Sequence, residues 1–108
     1  MKQADFEKFR SDFIDEAFSL SDKKRIEYTE GNAKDNVLWN FEDIANKLNL
    51  EPEDILAVYL NKHISSLNNY FKDKKVYSES IQGRVCDIVN YLILFLAMLE
   101  KKNRKINE

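Results

Sequence analysis

The sequence of 108 residues has few of the residues that cross-link or break a chain. With one cysteine it can form no internal disulfide, so we expect a reducing, cytoplasmic environment. Two glycines and one proline are too few for the turns of an all-β sandwich. Because 17 basic side chains face 19 acidic ones, the net charge is -2, which excludes a protein held to nucleic acid by bulk charge. We therefore expect no nucleic-acid partner.

Long apolar runs are also missing. Residues 1–6 have neither the apolar segment nor the small-residue cleavage site of a signal peptide. The longest apolar run, residues 91–99, has nine residues, whereas a helix that spans a bilayer needs about 20. We expect a protein of the cytoplasm, that of a host cell if a phage encodes it, with no membrane partner.

The apolar residues that are present recur at helical spacing. The first stripe predicts an amphipathic helix over about residues 4–19, with its phenylalanines packed in a core. Ser21 is the expected N-cap of a short second helix over residues 22–28, and Gly31 predicts a break after it. The first stripe consists of Phe6, Phe9, Phe13, Ala17 and Leu20.

Three longer helices are predicted after the break. Asp35 or Asn36 can cap the first of them, which buries Leu38, Phe41, Ala45 and Leu48, and Asn49 can end it. Pro52 suits the first turn of the next helix, which we expect to reach about residue 71. Ser78 can open the last helix. Its apolar seam has coiled-coil spacing and consists of Ile81, Val85, Ile88, Leu92, Phe95 and Leu99.

These patterns predict an all-α fold, a small bundle of four main helices plus one short helix. We expect one domain over residues 1–100 and a charged tail over residues 101–108 that frays. Residues 91–99 are apolar on nearly every side of a helix, so either the bundle or a second subunit must cover them. This segment predicts a homo-oligomer.

Several polar side chains lie beside the apolar stripes. Lys62 and His63 fall in the middle of the third long helix, and Arg84, Asp87 and Tyr91 follow one edge of the last. Each has an ordinary structural explanation: His63 as a hydrogen-bonded core histidine, and Arg84 with Asp87 as a helical ion pair. The lone Cys86 is interpreted as a small buried hydrophobic residue, and no metal site is predicted.

Together with residues on earlier segments, these side chains resemble the nucleotide modification associated domain 1 family. The resemblance covers about residues 24–99 and is strongest at Lys62-His63 and over residues 87–91. It implies a small α-helical protein of bacteriophages or bacterial operons that is associated with nucleotide metabolism, and it supplies no catalytic residues. The candidate ligand-binding residues that it implies are Lys24, Asn40, Lys62, His63, Glu79, Arg84, Asp87, Asn90 and Tyr91.

The chemistry of this set suits a nucleotide. Lys62 and Arg84 can bind phosphate, and the amides of Asn40 and Asn90 can read a base edge. Tyr91, Tyr28 or Trp39 can stack on a base. Asp87 can orient Arg84 or accept from a ribose hydroxyl, and His63 can donate to a phosphate oxygen. The main hypothesis is a phage-type protein that binds or sequesters a nucleotide or cyclic nucleotide, with an anti-defence role, and it requires no cofactor.

Two other functions stay open at this point. A small nucleotide pyrophosphohydrolase would need magnesium, yet the chain has no Glu-Glu-x-x-Glu motif to face a Glu-x-x-Asp motif, so Glu27, Glu79 and Asp87 would have to converge. A protein inhibitor of a bacterial defence complex, similar to an anti-CRISPR protein, is the third hypothesis. The basic clusters over residues 23–25 and 72–75 disfavour it, because they would repel a basic nucleic-acid channel.

Overall fold

A computed structural model describes residues 1–28, 36–75 and 80–107 of the chain. These residues form four α-helices and no strand, which confirms the all-α prediction. The helices are α1 (Gln3–Tyr28), α2 (Trp39–Leu48), α3 (Pro52–Asp73) and α4 (Ile81–Asn107).

The ends of α2 and α3 follow the predicted local signals. Asn49 terminates α2 in the left-handed conformation, with φ 57° and ψ 45°, which asparagine tolerates better than most residues. Pro52 is the first residue of α3, where its missing N–H has no helical partner to lose. The Glu51 backbone N–H donates to the Asp54 carboxylate at 3.0 Å, which fixes the entry of the chain into α3.

The predicted short helix over residues 22–28 is wrong, because α1 runs unbroken from Gln3 to Tyr28. Neither glycine nor proline occurs between these residues, and a serine cap can form only where the backbone leaves the helix. Ser21 is instead a half-buried residue within α1. The bundle therefore has four helices among its described residues.

The predicted starts of α2 and α4 shift by a few residues. The Asn36 side chain accepts from the Leu38 backbone N–H at 3.1 Å, in a turn that precedes α2. Ser80 precedes α4, and its hydroxyl oxygen accepts from the Gly83 N–H at 3.0 Å. The other predicted caps, Asp35 and Ser78, lie outside the described residues.

The C-terminal charged segment belongs to α4 as far as Asn107, rather than forming a separate frayed tail. Lys101 donates to Glu42 of α2, and Lys102 donates to Glu53 of α3 at 2.8 Å. These two contacts connect the last turns of α4 to the beginnings of both neighbouring helices, which explains why the helix continues past residue 100.

The apolar core lies where α2, α3 and the second half of α4 meet. Tyr59 and Tyr91 pack against its edge, and their rings approach that of Phe41 at 5.9 and 6.2 Å between centroids. Such aromatic pairs add to the free energy gained by burying apolar area. The buried members of this core are Leu38, Phe41, Ala45, Ile55, Leu56 and Met98.

Helix α1 stands apart from this core and, among the described residues, packs only on α4. Ala17 is buried at that crossing, whereas Phe6 and Phe9 are 43% and 59% exposed. The prediction that they pack in the core is therefore wrong, since the first half of α1 reaches beyond the other helices. The radius of gyration is 16.0 Å, compared with ~13 Å for a compact domain of this length.

Other predicted core positions are exposed as well. Leu48 is the last residue of α2 and is 60% exposed. Leu92 and Leu99, which were predicted to be buried along the last helix, are 46% and 38% exposed. The face of α4 that the bundle covers is rotated away from them, toward Arg84 and Met98.

Candidate functional site

The first half of α4 and the middle of α3 bring two predicted ligand residues into contact. Arg84 Nη1 lies 3.1 Å from His63 Nδ1, although the two residues are 21 positions apart in sequence. Asp87, one turn further along α4, places Oδ2 3.8 Å from the same ring nitrogen. Arg84 is buried, with 9% exposure, and the His63 side chain retains 12%. Two of the predicted ligand residues, from different helices, therefore lie in contact.

The contact between Arg84 and His63 depends on the tautomer of the imidazole. A guanidinium carries only donors, so the contact is a hydrogen bond when Nδ1 accepts, which is the neutral ring with its proton on Nε2. A protonated ring would present N–H groups on both nitrogens, and Nδ1 would then face Arg84 as a second donor. The Asp87 carboxylate, whose Oδ2 lies 3.8 Å from His63 Nδ1, is the acceptor toward which a protonated ring could turn.

Helix α1 contributes a second cation through Lys24. Its Nζ lies 3.9 Å from Asp87 Oδ1, and its side chain is 39% exposed, so it reaches the cluster from the solvent side. Asp87 thus faces Lys24 and His63. We call Lys24, His63, Arg84 and Asp87 the polar cluster. It holds two permanent cations and one carboxylate, which gives it the charge balance that suits an anion.

The Tyr91 ring packs between the polar cluster and the apolar core. Its ring lies 5.4 Å from the His63 ring at an interplanar angle of 32°, and it also packs against Phe41 and Tyr59. These contacts hold the imidazole in place and connect the polar cluster to the apolar core. The predicted stacking of Tyr91 on a nucleobase competes with them, so the geometry favours a positioning role for this ring.

Asn90 is also occupied by the protein itself. Its Nδ2 donates to the backbone carbonyl oxygens of Cys86 at 3.0 Å and Ala17 at 3.4 Å, and the second bond joins α1 to α4. The Asn90 amide thereby provides a hydrogen-bond donor for the Ala17 carbonyl oxygen where the two helices cross. It therefore orients α1, and through α1 it orients Lys24.

Two of the predicted ligand residues lie outside the polar cluster, and a third is not among the described residues. Lys62 is exposed, because it precedes His63 by one position and so points about 100° around α3. Asn40 is half-buried on α2 and, among the described residues, forms no side-chain hydrogen bond with the polar cluster. Glu79 lies outside the described residues.

Cys86 lies between Arg84 and Asp87 in sequence but faces α1, and it is buried, as predicted. Burial raises the pKa of its thiol, and the nearby carboxylates of Glu16 and Asp87 raise it further, while Lys24 acts in the opposite direction. The thiol is therefore protonated at neutral pH and behaves as an apolar side chain.

A second polar region, which was not predicted from the sequence, lies at the other end of α4. There a cleft of about 210 Å³ is lined by charged residues at its rim and by Leu38 and Met98 at its base. Lys102 forms ion pairs with Glu53 at 2.8 Å and Glu51 at 3.7 Å, and these raise the pKa of its ammonium group. Lys102 follows Asp87 by 15 residues, or roughly 20 Å along the helix, so the cleft is separate from the polar cluster.

Metal ligation and known relatives complete the description of the site. Over residues 1–28, 36–75 and 80–107, no three His, Cys, Asp or Glu side chains lie close enough together to hold a metal ion. No family model, curated protein or solved structure matches the chain. The resemblance to the nucleotide modification associated domain 1 family therefore stays a prediction.

Proposed function

We propose that the protein binds a nucleotide or a nucleotide-derived signal through its phosphate groups at the polar cluster. The observation that carries the proposal is the contact between Arg84 and His63 at 3.1 Å, with Lys24 and Asp87 beside it. Three helices supply these side chains. Burying an arginine costs hydration, so a purely structural position would more readily hold an apolar residue.

The chemistry of binding follows from the donors. An arginine presents planar N–H groups that match phosphate oxygens, and Lys24 adds a second, flexible cation at the exposed rim. The proton on His63 Nε2 is a further donor, and Asp87 holds Lys24 and can accept from a ribose hydroxyl. We assign the phosphate to Arg84, His63 and Lys24, and we leave Lys62, Asn40, Glu79 and Asn90 outside the core of the site.

We also propose the origin and the cellular location of the protein. The resemblance favours a phage-encoded protein in the host cytoplasm, where sequestering a cyclic nucleotide messenger would serve an anti-defence role. We propose binding without turnover and without a cofactor. The pyrophosphohydrolase and inhibitor hypotheses remain as outcomes of the experiment that follows.

Thermal unfolding in the presence of a ligand panel tests the proposal. The panel contains inorganic phosphate, pyrophosphate, nucleosides, nucleoside triphosphates and cyclic dinucleotides, each with and without magnesium. A ligand at 100 times its Kd stabilises the native state by about 2.7 kcal/mol, which raises Tm by about 10 °C in a domain of this size. We expect this rise with phosphate-containing ligands and not with nucleosides.

Matched variants locate the binding site. Arg84→Gln should abolish the Tm rise, whereas Arg104→Gln, on the exposed side of the same helix, should retain it. Lys24→Gln, at the exposed rim, should weaken binding and serves as the test if Arg84→Gln does not fold. The proposal fails if no phosphate-containing ligand raises Tm, or if both cluster variants respond as the wild type does. Release of pyrophosphate with magnesium would instead support the enzyme hypothesis.

A further inference from the structure

One continuous apolar stripe on α1 is covered for only half its length. At about 100° per residue, Phe6, Phe9, Phe13 and Ala17 lie on the same side of the helix. Ala17 is buried against α4 and Phe13 is half-buried, whereas Phe6 and Phe9 are 43% and 59% exposed. The surface that packs on α4 therefore continues past the end of its own partner.

The first half of α1 extends away from the other helices. All of residues 1–12 are exposed, and among the described side chains α1 is buried against α4 only at Ala17. The exposed contacts within this segment contribute little to stability and leave Phe6 and Phe9 43% and 59% exposed. They include the hydrogen bond from Gln3 to Glu7, the ion pair between Lys8 and Asp12, and the Arg10 guanidinium over the Phe6 ring.

Helix α4 presents a second uncovered stripe. Val85, Val89, Leu92, Leu96 and Leu99 are separated by steps of 4, 3, 4 and 3, which is the spacing of a coiled-coil seam. The valines are half-buried, and the leucines are 46%, 62% and 38% exposed. Ile93 flanks this stripe and is 44% exposed. We call these six residues the α4 seam.

We infer that a second copy of the chain covers both surfaces, with two α4 seams packed against each other and the Phe6 and Phe9 side chains of each copy at the flank. A two-fold interface places the same patch on both subunits, and an apolar heptad-spaced seam is complementary to itself. No charged side chain occurs between Asp87 and Glu100, so two such seams meet without opposing like charges.

The available area supports this occupant. The exposed large apolar residues of the two surfaces present an area on the order of the 800 Å² that each partner buries in a stable interface. They are Phe6, Phe9, Leu92, Ile93, Leu96 and Leu99.

A lipid bilayer is the competing occupant, since the stretch Ile81–Arg104 is long and apolar enough to cross a membrane by length and composition alone. Three observations favour the second copy. Arg84 and Asp87 on this stretch pair with residues of other helices, α3 packs along α4, and Lys101 and Lys102 pair with Glu42 and Glu53. A helix with these partners has one uncovered side rather than a fully apolar circumference.

Sedimentation velocity combined with light scattering tests the inference on the full chain. The wild type at micromolar concentration should have twice the 12.8 kDa mass of one chain. Leu96→Glu places a charge in the seam and should raise the dimer dissociation constant at least tenfold, which corresponds to about 1.4 kcal/mol. Phe9→Ser removes the flanking contact and should also weaken the dimer. Val58→Glu, at a 66% exposed apolar position of α3 outside both surfaces, is the matched control and should remain dimeric.

Circular dichroism establishes that each variant is folded, and Phe9→Ser decides the question if Leu96→Glu is not. A monomeric wild type would overturn the inference, as would a Leu96→Glu dimer as tight as that of Val58→Glu. Wild-type monomers that co-sediment with neutral phosphatidylcholine vesicles would show that lipid is the occupant, which also overturns it. The result is independent of whether a nucleotide binds, because the seam and the polar cluster lie on different sides of α4.

Discussion

The two ends of α4 both carry charged side chains, but the surroundings of these side chains differ. At the first end, Arg84 is 9% exposed and contacts a histidine from another helix. At the second end, Lys101 and Lys102 reach carboxylates of α2 and α3, with side chains that are 43% and 47% exposed. Solvent screens the second pair of interactions and largely does not reach the first.

This difference separates charges that belong to the surface from charges that need another explanation. The lysines at the second end cover the rim of the apolar core and need no ligand to account for them. The arginine at the first end is buried beside a histidine, and burying its charge costs hydration that an apolar side chain would not lose. We therefore propose the functional site at the first end of α4.

The largest expected effect comes from replacing the buried arginine. Arg84→Ala removes a buried side chain and leaves His63 Nδ1 without its donor, and we expect a loss of about 3 kcal/mol in the free energy of unfolding. Arg84→Met keeps the apolar volume but also leaves His63 Nδ1 without its donor, so it should cost less than Arg84→Ala and bind no nucleotide. Urea unfolding measures both. Equal destabilisation by the two variants would show that Arg84 is a structural residue.

A smaller effect is expected at the second end of the helix. Lys101→Met removes the ion pair with Glu42 while keeping the apolar stem that covers the core, so it should cost at most about 1 kcal/mol. This loss should shrink further in 1 M salt, where the Debye length is about 3 Å. Urea unfolding at low and high salt measures it. A loss equal to that of Arg84→Ala would remove the distinction between the two ends.

The smallest effect concerns Cys86, which is buried beside the polar cluster. Its pKa is raised in the folded state, chiefly by burial, so its contribution to stability is present below the ordinary thiol value and is lost as pH rises through the raised one. The free energy of unfolding should therefore fall at alkaline pH, and less so in Cys86→Ala. Native-state labelling by a thiol reagent should be slow at pH 7 and limited by opening of the α1–α4 crossing. Rapid labelling of folded protein would contradict this description.

The sequence predicted the helices where a local signal ends them. Asn49 and Pro52 act through their own backbone geometry, so their roles can be recognised without knowledge of the fold. Ser21 has the same capping chemistry as Ser80, yet only Ser80 lies where the chain enters a helix. Local pattern cannot separate these two serines, because the choice depends on whether the preceding residues continue the helix.

The polar cluster was predictable only in part. Arg84 and Asp87 lie beside the apolar edge of α4, and His63 lies beside that of α3, so periodicity placed all three near the interface of these helices. Asn90 was expected to face a ligand but donates to Ala17 of α1 instead. That contact depends on where α1 crosses α4, and one amphipathic stripe does not determine the crossing point. The exposure of Phe6 and Phe9 also depends on where α1 crosses α4.

The most direct test of the central claim is ¹⁵N NMR of the His63 ring during titration with ATP and with a cyclic dinucleotide. In the free protein we expect the neutral ring with its proton on Nε2, since Nδ1 accepts from Arg84. Addition of the binding nucleotide should shift both ring nitrogens in a saturable way, and Arg84→Met should abolish that shift while the same ring is observed in a folded protein. Ring resonances that do not move with any nucleotide, or that move equally in Arg84→Met, would contradict a phosphate site at the polar cluster.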